Sequence, residues 1–201
     1  MSKARLEAFS DGVIAVAITL LALDLAVPEP GRVGLLTQLG DHWPEFAAYV
    51  VSFFTIGIIW VNHHVRISTI VSVDRTLLFL NLLLLMFIVL IPFATATMAT
   101  YLTSGTEDSN IAMALYAVVL EGMALSFSAI FEWSLREGRS RMVIPTDQRG
   151  SARLRNSVGS IVYAVVFVVA FLSAPVALAI AGATALYYIS APLPRVATTI
   201  E

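Results

Sequence analysis

Ser10, Asp11, Thr19 and Asp24 fall inside the apolar stretch RLEAFSDGVIAVAITLLALDLAV, Glu121 sits in VVLEGMAL, and His63 and His64 adjoin in WVNHHVRI. Carboxylates and imidazoles in such surroundings can carry protons or meet cations, and hydroxyls can offer oxygens to either. All of them can also tie helices together by hydrogen bonds. An ionisable group inside an apolar span is costly, so it faces a partner or a wet cavity. Catalysis finds less support. There is no cysteine, no paired His-Glu metal motif, and two adjacent helical histidines point about 100° apart, too far to share one metal. The expectation is no enzyme, no metal site and no cofactor.

The elements that position these groups are membrane helices. The 201 residues are 58% hydrophobic and 13% charged, with a mean hydropathy of +0.85. Soluble domains run nearer about 45–50% apolar and about 25% charged. The expected fold is an all-α integral membrane protein forming one membrane domain over residues 1–201. Six spans are predicted at about 8–27, 43–62, 76–102, 110–133, 158–173 and 176–190. The first stops at Pro28 and Pro30. The last two share one apolar region, broken by LSAP at Leu172 to Pro175, because proline disfavours helix in the residue before it.

Lysine and arginine set the orientation. Lys3 and Arg5 precede the first span, and Arg66 and Arg75 separate the second from the third. Arg136, Arg139, Arg141, Arg149, Arg153 and Arg155 fall in or beside a basic loop at 134–155, and Arg195 follows the sixth span. Only Arg32 lies on the other side, so eleven of the twelve basic residues face the cytoplasm, with both termini inside. Glu29, Asp41, Glu45, Glu107 and Asp108 leave the outer face acidic. A cleaved leader is the rival for the first span, but Asp24 inside its apolar run and the want of a convincing A-x-A site argue against it. The loop at 134–155 reads as a basic cytoplasmic segment beside anionic lipid, with no nucleic-acid partner expected.

On a helical wheel with Val16 at zero, Leu20 falls near about +40°, Leu23 near about −20° and Phe9 near about +20°. They form an aliphatic ridge, with Thr19 on its shoulder at about −60°. Ala8, Ala15 and Ala22 recur every seven positions with Gly12 close by, and small residues let helix backbones approach in a bilayer. Asp11 lies away from the ridge, pointing into the bundle, with Arg5, His63 and His64 the candidates nearest in depth. On periodicity alone the simpler reading of the ridge is that it faces lipid or core, as most such stripes do.

Arg5, Phe9, Ser10 and Asp11, followed by Gly12, Thr19 and Leu20, resemble the R-x-x-x-F-S-D motif in the first helix of the transmembrane-protein-175 family, potassium channels of prokaryotes and of endosomes and lysosomes. Trp60, His63 and His64 resemble that family's Trp/His-His stretch. The resemblance implies a homotetramer of six-helix subunits in the cell membrane, the first helices lining a central pore without a T-V-G-Y-G filter, a string absent here. It implies aliphatic constrictions at Val16, Leu20 and Leu23, Thr19 hydroxyls aiding selectivity for the permeant potassium ion, and Asp24 near the outer mouth. The same resemblance makes Arg5, Phe9, Ser10, Asp11, Trp60, His63 and His64 a structural group holding the first helix. Val16 is smaller than the family's usual residue there. The alternative function is a proton-coupled secondary transporter using Asp11 and Glu121. Glu132 and Trp133 read as an ordinary interfacial anchor.

Overall fold

A computed structural model describes residues 2–190 except 26–29, 32–33, 106, 137 and 142–143. Val27, Pro28, Glu29, Arg32 and Arg195 lie outside the described residues. The first helix, α1 (Lys3–Leu20), is capped by Ser2, whose Oγ accepts from Arg5 N, and it tightens into a 3-10 turn at Leu21–Asp24. Such tightening is a usual way to use carbonyls left unpaired at a helix end. A short helix, α2 (Leu35–Asp41), follows; apolar periodicity gives no span there, since seven residues cover only about 10 Å.

Four long helices carry the bundle: α3 (Trp43–Ser68), α4 (Arg75–Tyr101), α5 (Glu107–Ser134) and α6 (Arg149–Ala170). With α1 and its 3-10 turn, these make five helical segments long and apolar enough to cross a bilayer. The sixth apolar helix, α7 (Ala174–Ser190), has 17 residues, about 25 Å of rise. The chain turns between α6 and α7 at Phe171–Ser173, just before Pro175. Residues 149–155, placed in the basic loop by hydropathy, form the first two turns of α6. Arginines there read as loop to a hydropathy scale but are good helix formers.

In the bundle α4 packs on α5, α5 on α6, and α1 lies across α3 and α4. The surface carries Phe79, Leu82, Met86 and Phe93 of α4 and Val165 and Val168 of α6. The interior includes Ser10, Ser52, Thr55, His63, Asn81 and Thr95. Large apolar groups outside and hydrogen-bonded polar groups inside suit a bilayer as solvent.

The tightest approach joins α4 and α5. A Cβ at Gly122 would lie 2.2 Å from Phe87 Cε1. Gly122→Ala is expected to cost about 1–3 kcal/mol by overpacking, read as a lower melting temperature in detergent. Phe87→Ala in the same chain should relieve it.

At the basic end the chain after α5 returns as a strap. Val71 N donates to Arg139 O at 3.0 Å and Arg141 N to Thr69 O at 2.8 Å. Asp74 caps α4 by accepting from Leu77 N at 2.8 Å, and it also accepts from Trp133 Nε1 at 3.2 Å and pairs with Arg139 at 3.4 Å. The Leu77 amide foremost, then Trp133 and Arg139, hold the Asp74 carboxyl below its ordinary range. Trp133 is buried under the Arg139 guanidinium, which corrects its reading as an interfacial anchor: the strap covers it. Glu132 pairs with Arg153 across α5 and α6 at 2.7 Å.

Candidate functional site

The two sides of α1 have opposite environments. Leu6, Ser10, Ile14, Ala17 and Leu21 are buried against the chain's own bundle. Phe9, Val16, Leu20 and Leu23 are 50%, 57%, 39% and 77% exposed, and Ala8, Gly12, Ala15 and Thr19 share their open side. The aliphatic ridge is therefore uncovered by its own chain. An apolar groove lined by Ala8, Phe9, Gly12, Val13 and Val16 of α1 and Val89 of α4 runs beside it. Because Leu23 lies in the 3-10 turn, it eclipses Leu20 rather than drifting around the helix.

The buried side is pinned. Ser10 Oγ donates to Leu6 O at 2.9 Å and accepts from Asn81 Nδ2 at 3.0 Å; Asn81 Oδ1 meets His63 Nε2 at 2.8 Å. This arrangement makes His63 Nε2 the donor and joins α1, α4 and α3 through three buried side chains. A ladder runs down the α1–α3 contact. Lys3 Nζ donates to Ser68 O at 2.6 Å, Glu7 faces His64 at 3.9 Å, and Asp11 Oδ1 accepts from Trp60 Nε1 at 2.9 Å. The rungs step four residues forward on α1 and four back on α3, the register of two antiparallel helices with one turn between contacts.

These ties amend the expected pairings. Asp11 is half-buried and meets Trp60, not Arg5 or a histidine, because the rungs align with one another only at that step. Arg5 is exposed in the first turn, and Phe9 faces the groove; neither belongs to the hydrogen-bonded group. Asn81, its central member, was not singled out from the sequence. An amide inside the run FLNLLLLMF was the available signal.

Thr19 Oγ1 lies 3.0 Å from Ala15 O and 2.8 Å from Val16 O. Its hydrogen is thus turned to the backbone, leaving lone pairs outward. An oxygen so oriented suits a cation. Asp24 is exposed and lines a cavity of about 160 Å³ with Glu45, Tyr49, Thr95 and Thr100, between the 3-10 turn, α3 and α4. Glu121 accepts from Ser160 at the α5–α6 contact. Asp11 is tied on the α1–α3 side, so the fold does not bring the two carboxylates together as one relay. Among the described residues no group of three or more metal-ligating side chains occurs.

Comparison with known proteins decides the family. The chain is 47% identical over 188 residues to a potassium channel of Streptomyces collinus, covering 92% of this chain and 90% of that one. The chain belongs to the TMEM175 family. The TMEM175 sequence model, described as endosomal/lysosomal potassium channel TMEM175, matches residues 5–92. Those residues hold both halves of the α1–α3–α4 anchor. The crystal structure of a lysosomal potassium-selective channel TMEM175 homolog from Chamaesiphon minutus aligns with a TM-score of 0.81 at 32% identity, over 93% of this chain and 96% of that one. The endosomal/lysosomal proton channel TMEM175 of Gallus gallus is 33% identical over 144 residues, which cover 67% of this chain and 28% of that longer protein. These relatives are named as potassium or proton channels, not as enzymes.

Proposed function

We propose that this chain is a potassium-selective channel of the cell membrane, assembled from four copies with α1 of each lining a common axis. The observation that carries the reading is the division of α1: one side is pinned by the Ser10–Asn81–His63 group and the Trp60–Asp11 rung, while Val16, Leu20 and Leu23 stand uncovered. Facing one another across the axis, those residues form successive aliphatic rings. A narrow aliphatic ring offers no replacement for an ion's hydration shell and closes by dewetting. Opening then requires the rings to widen enough for a largely hydrated ion. Thr19, one position before Leu20, supplies outward oxygen lone pairs where the ion passes, which favours potassium through pore width and a few oxygens rather than through a carbonyl filter.

In this reading six helices cross the membrane, both termini and the basic strap face the cytoplasm, and Asp24 lies near the outer mouth. The charge distribution supports that orientation. Potassium is the permeant ion, and the bilayer and three further copies of this chain are the partners; no cofactor enters. The smaller ring at Val16 places the tightest closure at Leu20 and Leu23.

The absence of cysteine makes a direct test available. Leu23→Cys, oxidised in the membrane, is expected to give disulfide-linked dimers, whereas Ala17→Cys on the buried side should give none. Equal cross-linking at both positions, or none at Leu23→Cys, removes the basis for the axial ring.

A further inference from the structure

Arg66 is a partly buried charge that the described residues leave unanswered. It stands in the last turn of α3 and reaches across to α5. Its guanidinium carbon lies 4.5 Å from the centre of the Phe131 ring and 5.7 Å from that of Phe127. Among the described residues the ion pairs engage His42, His64, Arg139 and Arg153, and no carboxylate reaches Arg66. Its Nε is buried without a hydrogen-bond partner. The two terminal nitrogens are not enclosed in the same way, and no described acceptor meets them.

Aromatic rings attract a cation, but they satisfy none of its N–H groups as an oxygen would. A charge withdrawn from water is costly unless another charge and further hydrogen bonds answer it. The described part of the subunit supplies no such anion, so the answer comes from outside it. The terminal nitrogens form a planar fork whose parallel N–H groups match two oxygens of one phosphate. The surroundings select which phosphate. At the depth of Phe127 and Phe131, α6 meets α5 through Asn156 and Ser128 and through Arg153 and Glu132. This is the basic end of the bundle, where Arg136, Arg141 and Arg155 are exposed. Clustered arginines beside membrane helices draw anionic headgroups from the leaflet they face. Phe127, one turn deeper than Phe131 and only partly buried, continues the place into apolar surface that an acyl chain can cover. A free phosphate would leave that surface bare.

We infer that Arg66 is the headgroup site for an anionic phospholipid of the cytoplasmic leaflet, its terminal nitrogens taking the phosphodiester and Phe127 the start of an acyl chain. The choice of leaflet rests on the orientation proposed above; the binding itself depends neither on that orientation nor on conduction. The site bears on α1 as well. Ser68, two residues after Arg66, accepts from Lys3 through its carbonyl, and His64, two residues before, faces Glu7. A lipid held here braces the turn of α3 to which the start of α1 is tied.

The test is native mass spectrometry of the protein released from neutral-detergent micelles, with phosphatidylglycerol, phosphatidylcholine or inorganic phosphate added at equal concentration. Phosphatidylglycerol is expected to stay bound about fivefold more than phosphatidylcholine, and inorganic phosphate not to stay at all. Arg66→Met keeps an apolar stem against the rings without the charge, and it should lower bound phosphatidylglycerol about fivefold. Arg136→Gln removes an equal charge from the exposed part of the same end and should change it less than twofold. Where Arg66→Met does not fold, Arg66→Lys decides: it keeps the charge, loses the fork, and should lower binding about threefold. Equal losses from Arg66→Met and Arg136→Gln overturn the proposal, because the attraction is then diffuse. Unchanged binding in both Arg66 variants, or no lipid on the unmodified protein, overturns it too. Retention of inorganic phosphate as well as of lipid assigns the site to a soluble anion and also overturns it. A protein that conducts no potassium leaves every one of these results readable, since no flux enters them.

Discussion

Leu20→Ala is expected to raise potassium flux by roughly tenfold, the change that a barrier lower by about 1.4 kcal/mol produces. In the proposed assembly each copy exchanges an isobutyl group for a methyl at the same level of the axis, so the ring widens and wets. Leu20 is the site of choice because it stands on the uncovered side of α1 with Leu23 eclipsing it one 3-10 turn further along. Val16→Ala should act in the same direction but less, since less volume is removed. Val168→Ala, on the exposed side of α6 and away from α1, should leave flux unchanged. Selectivity should fall along with the barrier, because a wider ring admits hydrated sodium as readily as hydrated potassium. The measurement is potassium and sodium flux in proteoliposomes. If Leu20→Ala matches Val168→Ala, the ridge is lipid-facing and the channel reading loses its constriction.

Asn81→Ala carries the largest expected effect on stability. Its amide donates to Ser10 on α1 and accepts from His63 on α3, and all three side chains are buried. A single interhelical hydrogen bond in a bilayer averages only about 0.6 kcal/mol. Here the loss strands the buried His63 N–H, at about 1–3 kcal/mol when left unpaired, and also removes the bond to Ser10, whose hydroxyl keeps its bond to Leu6 O. The stranding outweighs the bond average, and a total of about 2–4 kcal/mol is expected. The melting temperature in detergent reads it. Adding His63→Leu to Asn81→Ala should cost less than the two single changes combined, because the second removes a group the first has already orphaned. Full additivity would mean that the three residues do not act as a unit. Flux should respond too: with its anchor cut, α1 is free to turn, and the closed rings lose their alignment.

Much of α1 was legible in the sequence. The wheel placed Val16, Leu20 and Leu23 on one side, and that side is the uncovered one. The turn before Pro175 was legible as well, because proline acts locally. What a local reading could not supply is the pairing between helices. Asp11 finds Trp60 because α1 and α3 run antiparallel with a particular register, and register belongs to packing rather than to either segment. Asn81 escaped notice for the same reason: one amide among leucines announces that a partner exists without naming it. The early start of α6 was hidden by its arginines. The 3-10 turn was hidden by the wheel itself, which assumes the same rotation at every residue.

That turn gives α1 a fine adjustment at its far end. A 3-10 segment advances about 120° per residue and an α-helix about 100°. Rewinding the three steps from Leu20 to Leu23 into α geometry therefore swings Leu23 about 60° around the helix, with Val16 and Leu20 staying where the anchor holds them. In the proposed pore the two inner rings are set by a fixed post and the outermost by a dial mounted on it. One ring can be retuned by exchanging a few backbone hydrogen bonds, without lifting the helix from its seat.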